Sequence, residues 1–425
     1  MAVQILSWIL KKLAQLTVWR FHPGIVGVTG SVGKTSTKLA IKAVLEKEYD
    51  VRASGGNLNS ELGLALTILG DWSEEDLKLV SREQPPHTAR ARKAIFWLKV
   101  IFRSLFYPVF GSVSRYPEIL ILEYGADRPG DIKRLLNIAR PTVGVITAIG
   151  DIPVHVEFFS GPEEVAKEKS RIIDGLPSAG FAILNCDDDT VLSLKERTRA
   201  NVITFGFGKC ADIKVSNIEN KSEGDRPVGI SFKLEQAGSF VPVRMTGVFG
   251  KAQAYAAAAA ASVGISLGMN LVEISEALKN YKPAVSRMEL VPGIKYTYII
   301  DDSYNASPLS MHAALDTLKI LPAKRRVAVL GDMLEIGKYA IEAHERVGRL
   351  TGKFVDVLVT VGPRARFIAE SAKEAGMKKD KIYSFDVVDE ARKPVQELLK
   401  KGDLVLVKGS HAMGLERLVE EIKAF

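Results

Sequence analysis

Residues 25 to 36 read Ile-Val-Gly-Val-Thr-Gly-Ser-Val-Gly-Lys-Thr-Ser, an apolar run breaking into a glycine-punctuated turn that ends in Lys34-Thr35-Ser36. This is the pattern of a phosphate-binding loop between a strand and a helix. Gly30 and Gly33 free the backbone around Ser31 to aim N–H groups inward, and the helix N-terminus adds partial positive charge. Lys34 is placed to reach the outer phosphates and Thr35 to offer a hydroxyl to Mg²⁺. Val28 stands where the common form of the loop has its first glycine. The loop alone does not separate a kinase, a motor, a GTPase and a ligase.

The elements that must hold this loop come from the apolar runs. Ile119 to Leu122 leads into Glu123-Tyr124-Gly125-Ala126, Val143 to Thr147 precedes His155-Val156-Glu157, and Ala182 to Leu184 runs into Asn185-Cys186-Asp187. Continuous aliphatic segments suit a parallel sheet covered on both faces, and each delivers polar residues to a strand's carboxyl end, where open α/β sheets bind ligands. The fold class expected is therefore α/β, a central P-loop parallel-sheet domain over 23–291 followed by a Rossmann-like domain over 292–425. The boundary is placed around Val291-Pro292-Gly293, where a new βα series starts. Residues 201 to 245 read as a small, short-stranded β-rich element.

Charge is unevenly distributed. The 425 residues carry a net charge of +8, which favours anionic partners, and no acid precedes Glu46. Residues 1–22 read as an amphipathic helix, either lying on a membrane surface or packed on the core, with an uncharged run too short to span a bilayer. Residues 81–116 form a basic, aromatic helical insertion suited to membrane docking, to a substrate lid or to covering the core. Cys186 and Cys210 are the only cysteines. They are too few for a disulfide framework or a four-cysteine zinc site, and a reducing cytoplasm is the expected setting.

Taken in order, Gly56-Asn57-Leu58-Asn59, Glu123 to Ala126, Asp301-Asp302-Ser303-Tyr304-Asn305-Ala306, Gly331 to Gly337 and Lys408-Gly409-Ser410 resemble the Mur ligase family of ATP-dependent amide-forming enzymes, nearest its D-alanyl-D-alanine-adding type. The resemblance implies ATP and two Mg²⁺ ions, an acyl-phosphate route, a muramyl-peptide carboxylate donor and D-Ala-D-Ala as amine. It implies that Thr35, Glu123 and His155 hold metal, together with a carbamoylated lysine at Lys169, or at Lys167 should the register slip. Asn185, Arg287, Asp302 and Tyr304 fall on the nucleotide side, and Asn57, Asn59, Asn305, Lys408 and Ser410 on the substrate side. Lys34, His155, Lys169 and Arg287 are the expected catalytic set.

Three departures stand out. Ala252, Gln253 and Ala256 replace the family's adenine-side residues, and Ser286 replaces a glycine before Arg287. The phosphate loop also begins almost at the start of this sequence, so the family's own uridine-gripping N-terminal domain is expected to be missing. A monomer working in the cytoplasm, with peripheral membrane contact and no nucleic acid partner, completes the expectation.

Overall fold

The computed structural model describes residues 2–56, 58–80, 90–110, 115–224 and 226–424. Two sheets organise them. The first contains β1 (Gly24–Thr29), β2 (Val51–Ala53), β3 (Ile119–Glu123), β4 (Val143–Ile146), β5 (Phe181–Asn185), β6 (Asn201–Gly206), β7 (Ile213–Glu223), β8 (Arg226–Gln236) and β9 (Ser239–Thr246). Their order is β2-β3-β1-β4-β5-β6-β7-β8-β9, parallel from β2 to β7 and antiparallel beyond. β1 lies between β3 and β4, with Val28 paired to Glu123 and to Val145. The phosphate loop, Glu123 and Thr147 therefore leave the sheet side by side, at a switch point of the strand order.

The apolar runs explain this burial. Every residue of β3 and β4 is buried. One face of the sheet packs on helices Lys34–Leu45 and Lys251–Ser266, whose alanines at 256 to 261 are all buried. The other face is covered by helices Ala2–Phe21, Glu61–Leu69 and Pro162–Asp174. The stretch from 201 to 245 differs from the expected separate short-stranded element. β7 and β8 are each 11 residues long and extend the main sheet. β7 buries alternate residues only over its first half, so a long strand with one wet face looks turn-rich in sequence.

The second sheet contains β10 (Glu289–Gly293), β11 (Thr297–Asp302), β12 (Arg325–Gly331), β13 (Val357–Val361), β14 (Ile382–Phe385) and β15 (Asp403–Lys408), ordered β10-β11-β15-β12-β13-β14. All pairs are parallel except β10 with β11. Val291-Pro292-Gly293 thus sits inside an edge strand, where proline's missing N–H is tolerated. Helix Arg90–Phe110 packs on Ala2–Phe21 and Glu61–Leu69. The rest of the insertion expected over 81–116 lies partly outside the described residues.

Candidate functional site

Gly30 has φ +145° and Gly33 φ +87°, both in the region that side chains disfavour. A Cβ at Gly30 would lie 2.0 Å from Thr147 Oγ1, so the loop is drawn tight against the neighbouring strand end. Ser31 N–H donates to Ala148 O at 2.6 Å, and Thr147 Oγ1 donates to Val32 O at 2.6 Å. The Ser31 hydroxyl is buried with no hydrogen-bond partner among the described residues. Lys34 closes the cradle by donating from Nζ to Gly30 O at 2.8 Å. Burial pushes its pKa down, with the nearby Arg287 charge assisting and Glu123 opposing.

Glu123 is the centre of the site. Its Oε2 lies 3.2 Å from Lys38 Nζ and accepts from the Thr35 hydroxyl at 3.2 Å. Its Oε1 is 3.5 Å from Asn59 Nδ2. Burial works to raise its pKa, yet Lys38 first, then Lys34 and Arg287, hold it below the usual carboxylate range. Lys38 also donates to Gly56 O at 3.1 Å, tying the loop around Asn57 and Asn59 to the phosphate-loop helix. Asn57 itself lies outside the described residues. Lys38 was not singled out by sequence, although four residues after Lys34 on one helix it shares Lys34's face.

Lys169 is buried on helix Pro162–Asp174, whereas Lys167 is exposed. Burial lowers the Lys169 pKa to about 7, with Lys34 repelling its proton and Asp127 attracting it. His155 sits in the left-handed region at φ 67°. Its Nε2 is 3.3 Å from Asp127 Oδ1, and its Nδ1 is 2.8 Å from Glu335 Oε2, across to the loop after β12. His155 holds Glu335 below its ordinary pKa. Asp127 and Glu335 are further residues that sequence reasoning did not place in the site. Glu335 lay within a quoted motif, but its reach to His155 depends on how the two sheets face one another.

The second sheet brings its own group. Arg287 stacks 4.3 Å above the Tyr304 ring, which also stacks on His411 at 5.0 Å. Ser286, standing for a glycine, has φ 57°, so a conformation glycine adopts freely carries a Cβ here. Its hydroxyl donates to Asp301 Oδ2 at 2.7 Å, an anchor glycine lacks. Asp302 accepts from Lys408 Nζ at 2.7 Å and from Met288 N–H at 3.1 Å. Lys408 also donates to Asn305 O at 2.7 Å, and the lysine is buried. Lys408 is thus committed to positioning the Asp302–Asn305 turn. Ser410 likewise supports a loop, accepting from Leu334 N–H at 2.8 Å.

Asn185 stands apart, at the end of β5, its side chain accepting from Asp187 N–H at 3.0 Å. Asp187 in turn accepts from Phe207 and Gly208 N–H and from the Tyr255 hydroxyl. Cys186 and Cys210 are joined by a single disulfide, which runs against the reducing setting expected from the two cysteines. β5 and β6 are parallel neighbours, and that adjacency brings the residues just past their ends to a Cα separation of 5.9 Å. Gln253, at an expected adenine position, is buried and accepts from the Tyr281 hydroxyl at 2.8 Å.

The residues present fit a metal-bound triphosphate. Thr35 and Glu123 supply the hard oxygens Mg²⁺ prefers, the Gly30 cradle admits no side chain, and the unpartnered Ser31 hydroxyl points to a missing polar ligand. A phosphate loop facing an arginine and aromatic pair from a second, Rossmann-like sheet defines an ATP-binding ligase architecture. The Mur ligase middle-domain profile matches residues 28–80 and 109–264, and the Mur ligase glutamate ligase domain matches residues 286–411. The chain belongs to the Mur ligase family. Within it, the chain is 30% identical over 415 residues to the UDP-N-acetylmuramoyl-tripeptide--D-alanyl-D-alanine ligase of Bacillus subtilis, covering 97% of this chain and 79% of that protein. The ligase of the same name from Mycobacterium tuberculosis is 30% identical over 440 residues, covering 98% of this chain and 76% of its own. The crystal structure of MurF ligase from Thermotoga maritima in complex with ADP superposes with a TM-score of 0.77 at 28% identity, covering 98% of this chain and 83% of that one.

Proposed function

We infer that this chain is an ATP-dependent peptide ligase that adds D-alanyl-D-alanine to a UDP-N-acetylmuramoyl-tripeptide-like precursor in peptidoglycan biosynthesis. Sequence identity along nearly the whole chain to ligases of that name supports the reaction. The observation that carries the mechanism is Glu123, buried between Thr35, Lys38 and Lys34 at the mouth of the phosphate loop.

A carboxylate is a poor acyl donor. Transfer of the ATP γ-phosphoryl group to it gives an acyl phosphate and ADP. Attack by the dipeptide amine then forms the amide and releases phosphate. Both steps crowd negative charge, so catalysis rests on positioning and electrostatic stabilisation. The loop N–H groups from Gly30 to Ser36 and Lys34 hold the β- and γ-phosphates, and Arg287 neutralises charge from the second sheet. Thr35 and Glu123 would hold one Mg²⁺, and His155 and a carbamoylated Lys169 would hold a second; bound there, the metal would supply positive charge against the phosphates. Asp302 and Tyr304 position the nucleotide, while Asn185 shapes the turn beside it. Asn57, Asn59, Asn305 and Ser410 frame the substrate side, with Lys408 acting through Asp302.

Carbamoylation needs a neutral amine to attack CO₂, and a buried lysine with its pKa lowered to about 7 supplies one at neutral pH. Lys167 is exposed, which favours the buried Lys169. We place the enzyme in the cytoplasm as a monomer in peripheral contact with a membrane, with its ATP-binding and C-terminal units dividing ahead of β10, a few residues before the 291 expected from sequence.

The test is direct. Purified protein with ATP, Mg²⁺, UDP-N-acetylmuramoyl-tripeptide and D-Ala-D-Ala is expected to release phosphate and form a product heavier by the dipeptide less water. Phosphate release that ignores both the donor and the dipeptide would instead mark a nucleotide switch.

A further inference from the structure

Two helices of the first unit are apolar on both sides. Ala2–Phe21 buries Leu10, Leu13 and Ala14, and Arg90–Phe110 buries Phe96, Val100 and Ser104. At 100° per residue the opposite side of the first helix carries Ile5, Trp8, Leu16 and Trp19, and that of the second carries Ile95, Leu98, Phe102 and Phe106, all exposed. Trp8 and Trp19 are 61% and 67% exposed. The helices pack against each other, so these stripes lie on neighbouring outer surfaces.

Their charge is one-sided. The first helix contributes Lys11, Lys12 and Arg20, the second Arg92, Lys93, Lys99 and Arg103, and neither sequence contains an acid. Among the described residues no helix is long and apolar enough to cross a membrane. Lys99 is paired with Asp76 of the neighbouring helix Glu74–Val80 at 3.4 Å. The remaining cations beside the exposed tryptophans and phenylalanines match the interface of an anionic bilayer, where aromatic rings sit at headgroup level and lysine or arginine meets phosphate. A water-facing helix would carry acids to balance its cations, and a core helix would bury its second apolar side.

We propose that the outer faces of Ala2–Phe21 and Arg90–Phe110 together form a docking surface for an anionic lipid bilayer, holding the protein at the membrane face without spanning it. This inference is independent of the ligase reading, because binding is measured without nucleotide or donor. The 425-residue chain is mixed with vesicles of phosphatidylcholine alone or of phosphatidylcholine with phosphatidylglycerol, whose headgroup supplies the negative surface potential. Sedimented protein and tryptophan emission are then read. Expected results are binding to the anionic vesicles with a blue-shifted emission, a loss of at least about tenfold in partition between 0.05 and 0.5 M salt, and a similar loss in the Trp8→Ser/Trp19→Ser variant. Because both side chains are exposed, the variant should keep the wild-type melting temperature and circular dichroism. Soluble protein at every lipid composition would overturn the proposal, as would equal binding by the variant or a salt-insensitive dimer that protects both tryptophans without lipid.

Discussion

Replacing Lys169 by methionine is expected to lower ligase turnover by about 10³-fold, the scale of losing one preorganised electrostatic group in a phosphoryl or acyl transfer site. ATP binding should remain measurable, because the phosphate loop is untouched. Stability should move in the other direction. A lysine free in the unfolded chain titrates near 10.5, and in the fold Lys169 titrates near 7. Between those values the unfolded chain holds a proton that the folded chain does not, so wild-type stability rises with pH through that window. Below about 7 the charged form is buried and the penalty is present in full. The methionine variant carries none of this. In CO₂-free buffer at pH 6 it should be more stable than wild type by on the order of 2 to 4 kcal/mol, with the difference vanishing toward pH 10. Denaturant titration at several pH values checks this. A variant both active and unchanged in its pH–stability profile would remove Lys169 from the site.

Glu123→Gln is expected to damage both function and fold. The substitution keeps the shape but removes the anion that faces Lys38, whose side chain is almost wholly buried. Breaking a buried pair from one side leaves the remaining charge uncompensated, at a cost of about 3 to 5 kcal/mol. Turnover should become negligible at ordinary Mg²⁺ and recover only in part at high Mg²⁺, because a neutral amide oxygen is a weaker ligand for the cation than the carboxylate it replaces. Adding Lys38→Met removes the stranded charge. The double variant should regain most of the lost stability and none of the activity. Recovery of activity would mean that Glu123 serves the fold and not the metal.

The local features of this chain were readable from its residues, and the ones that depend on packing were not. The turn from Gly30 to Thr35 and the aliphatic runs of β3 and β4 announced a parallel sheet with a phosphate loop, because both signals are confined to a few consecutive residues. Lys167 and Lys169 could not be separated by charge spacing. Their helix phase separates them, since Lys169 shares the buried side with Val165, Ile172 and Ile173. Cys186 and Cys210 are 24 residues apart and meet only because β5 and β6 are adjacent. Glu335 and His155 belong to different sheets, so no local pattern connects them. Lys408 was expected on the substrate side, and its burial against Asp302 gives it a partner within the chain. The long β7 and β8 looked short because one face of each is partly wet.

Activation of the donor carboxylate by phosphoryl transfer is tested most directly by oxygen transfer. A UDP-N-acetylmuramoyl-tripeptide labelled with ¹⁸O in its terminal carboxylate is turned over with ATP and D-Ala-D-Ala, and the released phosphate is analysed by mass. An acyl-phosphate route at Glu123, Lys34 and Lys169 predicts one ¹⁸O atom carried into each phosphate. Unlabelled phosphate formed alongside peptide product would contradict it.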